Sequence, residues 1–138
     1  MSALEFLDTN ILVYAYDPSD SRKQQIAQGL VRRAVAGEIA ASSQVLGEFA
    51  ATLLHKLTPP ANPEDLMALL DTLGPIKLLP IDGDVVLRAV LARAQYGVHF
   101  YDGMILAAAE RGGCQKIWSE DLNAGQQYFG CVVENPFV

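Results

Sequence analysis

Residues 4–17 read LEFLDTNILVYAYD. Leu4, Phe6 and Leu7 make an apolar run of strand length, and the run ends on Asp8. Asn10 follows two residues later, and apolar residues resume at once with Ile11 and Leu12. A strand that ends on an acid and turns straight into a helix has two readings. In one, the carboxylate caps the turn and satisfies free backbone N–H groups. In the other, Asn10 caps the helix and leaves Asp8 free at a sheet edge.

The same alternation runs outward from this stretch. Strands are expected over residues 3–7, 38–42 (EIAAS), 76–81 (IKLLPI), 116–119 (KIWS) and 131–135 (CVVEN). Helices are expected over 10–16, 20–36, 43–57, 63–73, 82–96 and 102–111. In TPPANPED, residues 58–65, Asn62 is placed to cap and Pro63 to occupy the first helical position. Strands alternating with helices define the α/β class, with a mostly parallel central sheet of about five strands and helices on both faces. In such sheets the ligand crevice lies beyond the carboxyl ends of the strands, where strand order reverses. Acids that follow strands therefore carry the functional question.

Composition narrows the possibilities. A chain of 138 residues, 51% hydrophobic and 19% charged, fits one domain over residues 1–138 with a substantial core. A net charge of −6 argues against coating nucleic acid by bulk electrostatics, while leaving a locally bound strand open. Arg22, Lys23, Arg32 and Arg33 form the one basic concentration, read as a solvated helix face. Cys114 and Cys131 stand 17 apart with no CxxC, as buried free thiols do. No signal peptide and no apolar run of bilayer length are apparent, so a cytoplasmic setting without a membrane is expected.

Four positions stand out. Asp8 follows the first strand. Glu48 lies near the start of the helix over 43–57, on its polar side with Gln44, Thr52 and His55, where solvent exposure is the plain reading. Asp102 precedes GMILAAAERGG and looks like the cap of that helix. Ser119, Glu120 and Asp121 follow the strand KIWS as an acidic loop. Singly, each acid has a structural explanation. Jointly, if one sheet edge gathers them, they repel unless a cation holds them, and hard oxygen donors select Mg²⁺ or Mn²⁺. The chemistry of such a site is phosphodiester hydrolysis. There is no P-loop, GxGxxG, GxSxG or HExxH.

FLDTNILVYAYD, SSQVLGEFAATLLHKL, YDGMILAAAERGG and IWSEDLNAGQQYFGCVVENPF, in that order and spacing, resemble the four acidic blocks of PIN domains, above all the VapC-type toxins of toxin–antitoxin pairs. The resemblance implies a three-layer α/β/α sandwich. It also implies a Mg²⁺- or Mn²⁺-dependent endoribonuclease with Asp8, Glu48, Asp102 and Asp121 as catalytic metal ligands. Asn10 and Ser119 match the polar residues that steady such a site, and Glu120 stands beside Asp121 as a competing fourth acid, with Asp121 favoured. The partners implied are an RNA substrate, a small antitoxin inserting an Arg against the carboxylates, and a second copy in a homodimer, with the apolar helices over 43–73 as candidate contacts. Tyr101–Asp102–Gly103 departs from the Trp–Asp–Ala common in relatives, and Gly103 is expected to loosen the turn that aims Asp102. Two competitors remain: a phosphotransfer domain of receiver or haloacid-dehalogenase type, weakened by Asn10 where the latter needs a second Asp, and a catalytically silent PIN-like module that binds RNA or protein.

Overall fold

The computed structural model describes residues 3–138. Its elements run β1 (Glu5–Leu7), α1 (Thr9–Tyr14), α2 (Ser21–Val35), β2 (Ile39–Ser42), α3 (Ser43–His55), α4 (Pro63–Thr72), β3 (Leu78–Leu79), α5 (Gly83–Tyr96), α6 (Phe100–Arg111), β4 (Lys116–Trp118), β5 (Gln127–Tyr128) and β6 (Cys131–Glu134). The strands form one sheet in the order β3-β2-β1-β4-β6-β5. Every pairing is parallel except β5 with β6. The chain steps outward from β1 to β2 and β3, then returns to lay β4 on the other side of β1. That reversal is the switch point, and it opens a crevice at the carboxyl ends of β1 and β4.

Both faces of the sheet are covered. Phe6 and Leu7 point to opposite faces and are fully buried, as are Ile39 and Ala40 on β2 and Ile117 on β4. On the helical side, α1 packs against α2 and α3, and α5 packs on α6, which reaches β2, β3 and β6. Local chemistry sets the helix starts. Ser42, Asn62 and Asp82 accept backbone N–H bonds from Val45 (3.2 Å), Glu64 (2.8 Å) and Val85 (3.1 Å). Asn62 and Pro63 take the two positions expected of them.

The expected fold class holds, with corrections. The sheet gains β5, joined to β6 by a two-residue turn through Phe129 (φ 50°) and Gly130 (φ 82°). Two consecutive positive-φ residues match the right-handed strand twist. Phe129 tolerates the conformation because its ring packs edge-on to Tyr96 and under Arg88, 4.1 Å from the centroid. β3 shrinks to two residues, with Pro80 ending the ladder just after it. The basic run on α2 is not simply solvated: Arg33 pairs with Glu5 (2.9 Å) and Glu38 (3.0 Å), Lys23 pairs with Glu120, and Arg22 donates to the Phe137 carbonyl (2.6 Å). Cys114 and Cys131 are buried free thiols, and burial pushes Cys114 up to about 12. Exposed apolar side chains concentrate on α5 at Val86, Leu87, Val90 and Leu91 rather than over residues 43–73, where Met67 is the exception.

Candidate functional site: an acid-lined cleft at the switch point

A cleft of about 550 Å³ lies over the carboxyl ends of β1 and β4. Asp8 enters it from the end of β1, Glu48 from α3, Asp102 from the first turn of α6, and Asp121 from the loop after β4. Thr9, Asn10, Val13 and Tyr14 of α1 form one wall. The polar stripe of α3, from Gln44 through Glu48 and Thr52 to His55, forms the other and gives the cleft a length of roughly 16 Å. Its carboxylate content is high for so small a space.

Asp8 is the most constrained of the four. It is buried, and both carboxyl oxygens are engaged: Oδ1 accepts from the Thr9 N–H (2.7 Å) and Oδ2 from Ser119 Oγ (2.7 Å). Asp8 therefore does cap α1, and Asn10 sits one residue inside that helix instead of capping it. Capping leaves a lone pair on each oxygen for the cleft. Ser119 Oγ in turn accepts from the N–H groups of Asp121 (3.2 Å) and Leu122 (3.3 Å), so one hydroxyl ties the end of β1 to the loop after β4. Burial raises the Asp8 carboxyl to about 6; the bonds from Ser119 and Thr9 oppose the rise, and the charges of Asp102 and Asp121 add to it. Asp102 is also raised, by burial first and then by the charges of Asp121 and Glu48, with His99 opposing.

Glu48 is exposed and fixed by Thr9 Oγ1, which donates to its Oε1 at 2.7 Å. The polar face of α3 is thus a cleft wall. Asp102 is not the cap of its helix. His99 is, with Nδ1 accepting from the Tyr101 N–H (3.2 Å), so Asp102 stands in the first helical turn. Gly103 has a packing role: a Cβ there would lie 2.7 Å from the Ala89 carbonyl oxygen, so glycine lets α6 press against α5. The adjacent acids Glu120 and Asp121 part company. Asp121 lines the cleft, whereas Glu120 turns away to accept from Tyr14 Oη (2.6 Å) and pair with Lys23. Burial would raise Glu120, but those two partners outweigh it and leave it lowered.

Asn10 has no hydrogen-bond partner for either end of its amide, although both atoms are shielded from bulk solvent, and Gln44 Oε1 is in the same state. Neither Gln44, with its orphaned oxygen, nor Tyr101, exposed at the cleft lip, stands out in the sequence as a site residue. Tyr101 carries a signal all the same: an aromatic next to a candidate acid at a helix start. Among the described residues, no group of three or more Asp, Glu, His or Cys side chains is gathered tightly enough to hold an ion outright.

A doubly wound parallel sheet with carboxylates from four separate segments at its switch point defines a class of acid-cleft α/β domains. Within that class, the chain belongs to the PIN domain family, whose profile matches residues 6–128. A comparison with curated proteins by sequence gives no significant match. Solved structures share the fold at low identity. FitAcB from Neisseria gonorrhoeae is 18% identical, with a TM-score of 0.69, over 96% of this chain and 98% of that one. DNA-bound VapBC from Salmonella typhimurium is 18% identical, with a TM-score of 0.69, over 98% of this chain and 99% of that one. The sarcin–ricin-loop-cleaving toxin VapC20 of Mycobacterium tuberculosis is 18% identical, with a TM-score of 0.64, over 85% of this chain and 91% of that one.

Proposed function

We propose that this chain is a metal-dependent endoribonuclease, the toxin half of a toxin–antitoxin pair, acting as one domain over residues 1–138 in the cytoplasm. The observation that carries the reading is the meeting of Asp8, Glu48, Asp102 and Asp121 in one cleft. The Asp8 and Asp102 carboxyls are raised by burial first and then by the charges of the other acids, so a cation in the cleft would relieve both.

The donor set fits a hard divalent cation: all four groups are carboxylates, and Asn10 adds an unpartnered amide. The spacing of the acids is no obstacle, because Mg²⁺ keeps several waters and needs one or two direct carboxylates. Asp8, Glu48, Asp102 and Asp121 are the residues proposed to hold it; bound there, Mg²⁺ or Mn²⁺ supplies Lewis-acid polarisation of a phosphoryl oxygen and a water of lowered pKa. The chain's own residues do the rest. Ser119 and the Thr9 N–H lock the Asp8 carboxylate in one orientation. Thr9 Oγ1 holds Glu48 against the opposite wall. The Asn10 amide offers a donor and an acceptor to a water or phosphoryl oxygen. Asp102 stands in the first turn of α6, where one carboxylate oxygen can face the cation and the other can accept a hydrogen bond from a water in the cleft.

Relatives of this fold include toxin–antitoxin complexes, some on DNA, which supports a small antitoxin as partner. An antitoxin Arg set against the carboxylates would satisfy the cleft's charge in the resting pair. A homodimer belongs to the same proposal, with the exposed apolar ridge of α5 as its contact; Leu87→Asp lowering the solution mass is the expected result.

The test is cleavage of total cellular RNA by the purified chain with Mg²⁺, Mn²⁺ or EDTA, beside Asp8→Asn and Asp102→Asn. Metal-dependent fragments with 5′-phosphate and 3′-hydroxyl ends, lost in both variants, are expected. Ends carrying 2′,3′-cyclic phosphate would refute water as the nucleophile. The same loose spacing also fits one second reading, a silent module that binds RNA or protein, and metal-dependent cleavage excludes it.

A further inference from the structure

We propose that Tyr101 and Gln44 form a nucleobase subsite at the lip of the cleft, taking one unpaired base of an RNA strand whose backbone lies along the acids. The inference rests on the reading of the cleft as an RNA site. Tyr101 is 54% exposed, though it directly precedes a cleft acid and lines the cleft itself. Its ring is flanked by its chain neighbours: it stacks at 5.7 Å and 23° with exposed His99, whose own ring is anchored by accepting the Tyr101 N–H, and partly buried Phe100 meets it edge-on at 5.3 Å. A ring fixed in this way is a stacking platform rather than a mobile surface side chain. Unpaired bases stack on such rings regardless of identity.

Gln44 supplies the second observation. Its Nε2 donates to the Tyr101 carbonyl at 3.1 Å, which sets the amide's orientation and ties it to the platform. Its Oε1 is then an acceptor shielded from bulk solvent and without a partner. A shielded acceptor of this kind calls for a donor. Every base carries one on its hydrogen-bonding edge, as a ring N–H or an exocyclic amine. Stacking on Tyr101 and donating to Gln44 Oε1 are the two contacts a splayed base makes in single-strand recognition. The acids begin one residue away at Asp102 and one helical turn away at Glu48. The subsite therefore adjoins the bond to be cut.

The test is binding without cutting, in the Asp8→Asn background with Mg²⁺, using a short unstructured RNA labelled at one end and an abasic ribose-phosphate strand of equal length. Tyr101→Ala is expected to weaken binding of the RNA by about ten- to a hundred-fold. It is expected to leave binding of the abasic strand unchanged. Tyr101→Trp retains RNA binding, and thermal melting confirms that each variant is folded. Equal loss on both strands would make the ring merely structural and overturn the subsite. No loss on either, or no RNA binding at all, would also overturn it and leave the exposed ring to a protein partner. Cleavage of cellular RNA is scored separately, so a nuclease with an inert Tyr101 is distinguished from a chain that is no nuclease.

Discussion

Replacing Asp8 by Asn is expected to remove cleavage and, in the same protein, to raise the stability of the metal-free fold at neutral pH. The sign follows from the direction of the shift. The Asp8 carboxyl lies at about 6 in the folded chain against an ordinary 3.8, so the folded state holds its proton more tightly than the unfolded state. Below 3.8 the group is protonated in both states, and its contribution is fully present. As pH rises through about 6 that contribution is lost. The full difference is roughly 3 kcal/mol. Asparagine carries no charge and escapes this loss. Its Oδ1 can still accept from the Thr9 N–H, but its Nδ2 faces Ser119 Oγ, which already accepts two backbone N–H bonds. The bond Ser119 now donates is forfeited, at about 1 kcal/mol. The net gain is about 2 kcal/mol, or roughly 6 °C in Tm for a domain of this size. Thermal unfolding of both proteins in EDTA, followed by circular dichroism from acid to mildly alkaline pH, reads it directly. The Asp8→Asn variant is expected to melt higher at neutral pH. The difference should shrink as the pH falls below about 6, and reverse where the Asp8 carboxyl is neutral in both states. A variant less stable at neutral pH, or a difference independent of pH, would refute the burial argument.

Three further outcomes follow from the same geometry. Mg²⁺ or Mn²⁺ at a hundred times its Kd should stabilise the native chain by about 2.7 kcal/mol, and Asp8→Asn should lose most of that gain in the same melts. Ser119→Ala removes the hydroxyl that joins Asp8 Oδ2 to the Asp121 and Leu122 N–H groups; a loss of about 1–3 kcal/mol in urea unfolding is expected, with slower RNA cleavage. Gly103→Ala drives a methyl to 2.7 Å from the Ala89 carbonyl and should cost about 1–3 kcal/mol, whereas Gly47→Ala, on α3 with open space around it, should gain up to about 1 kcal/mol. Equal effects of the two glycine substitutions would show that α5 and α6 do not pack as described.

What the sequence discloses about this fold depends on whether a residue's role is local or set by distant chain. Asn62–Pro63 is local: a side-chain oxygen and a missing N–H define a helix start by themselves, and the structure places both as expected. Asp102 looks equally local, yet His99 caps the helix three residues earlier, because an imidazole Nδ1 accepts the Tyr101 N–H as a hydroxyl or carboxylate would. β5 leaves almost no pattern, since two residues cannot show a period of two. Its turn is held by Tyr96 and Arg88, more than thirty residues away in the chain.

The acids show the same division more sharply. Periodicity places Gln44, Glu48, Thr52 and His55 on the polar side of α3, but a helical wheel has no means of telling bulk solvent from a cleft, because both accept polar side chains. Only the packing of α1 against α3, with Thr9 bonded to Glu48, turns that side into a wall. Glu120 and Asp121 sit in a loop, where no period assigns faces, and they separate because Tyr14 and Lys23 from α1 and α2 capture one of them. The placement of Asp8 is the most legible, because the end of β1 and the switch point are dictated by the strand–helix alternation itself. Its charge state is not: it depends first on burial by the packed fold and then on Ser119, Asp102 and Asp121, which arrive from more than ninety residues further along the chain.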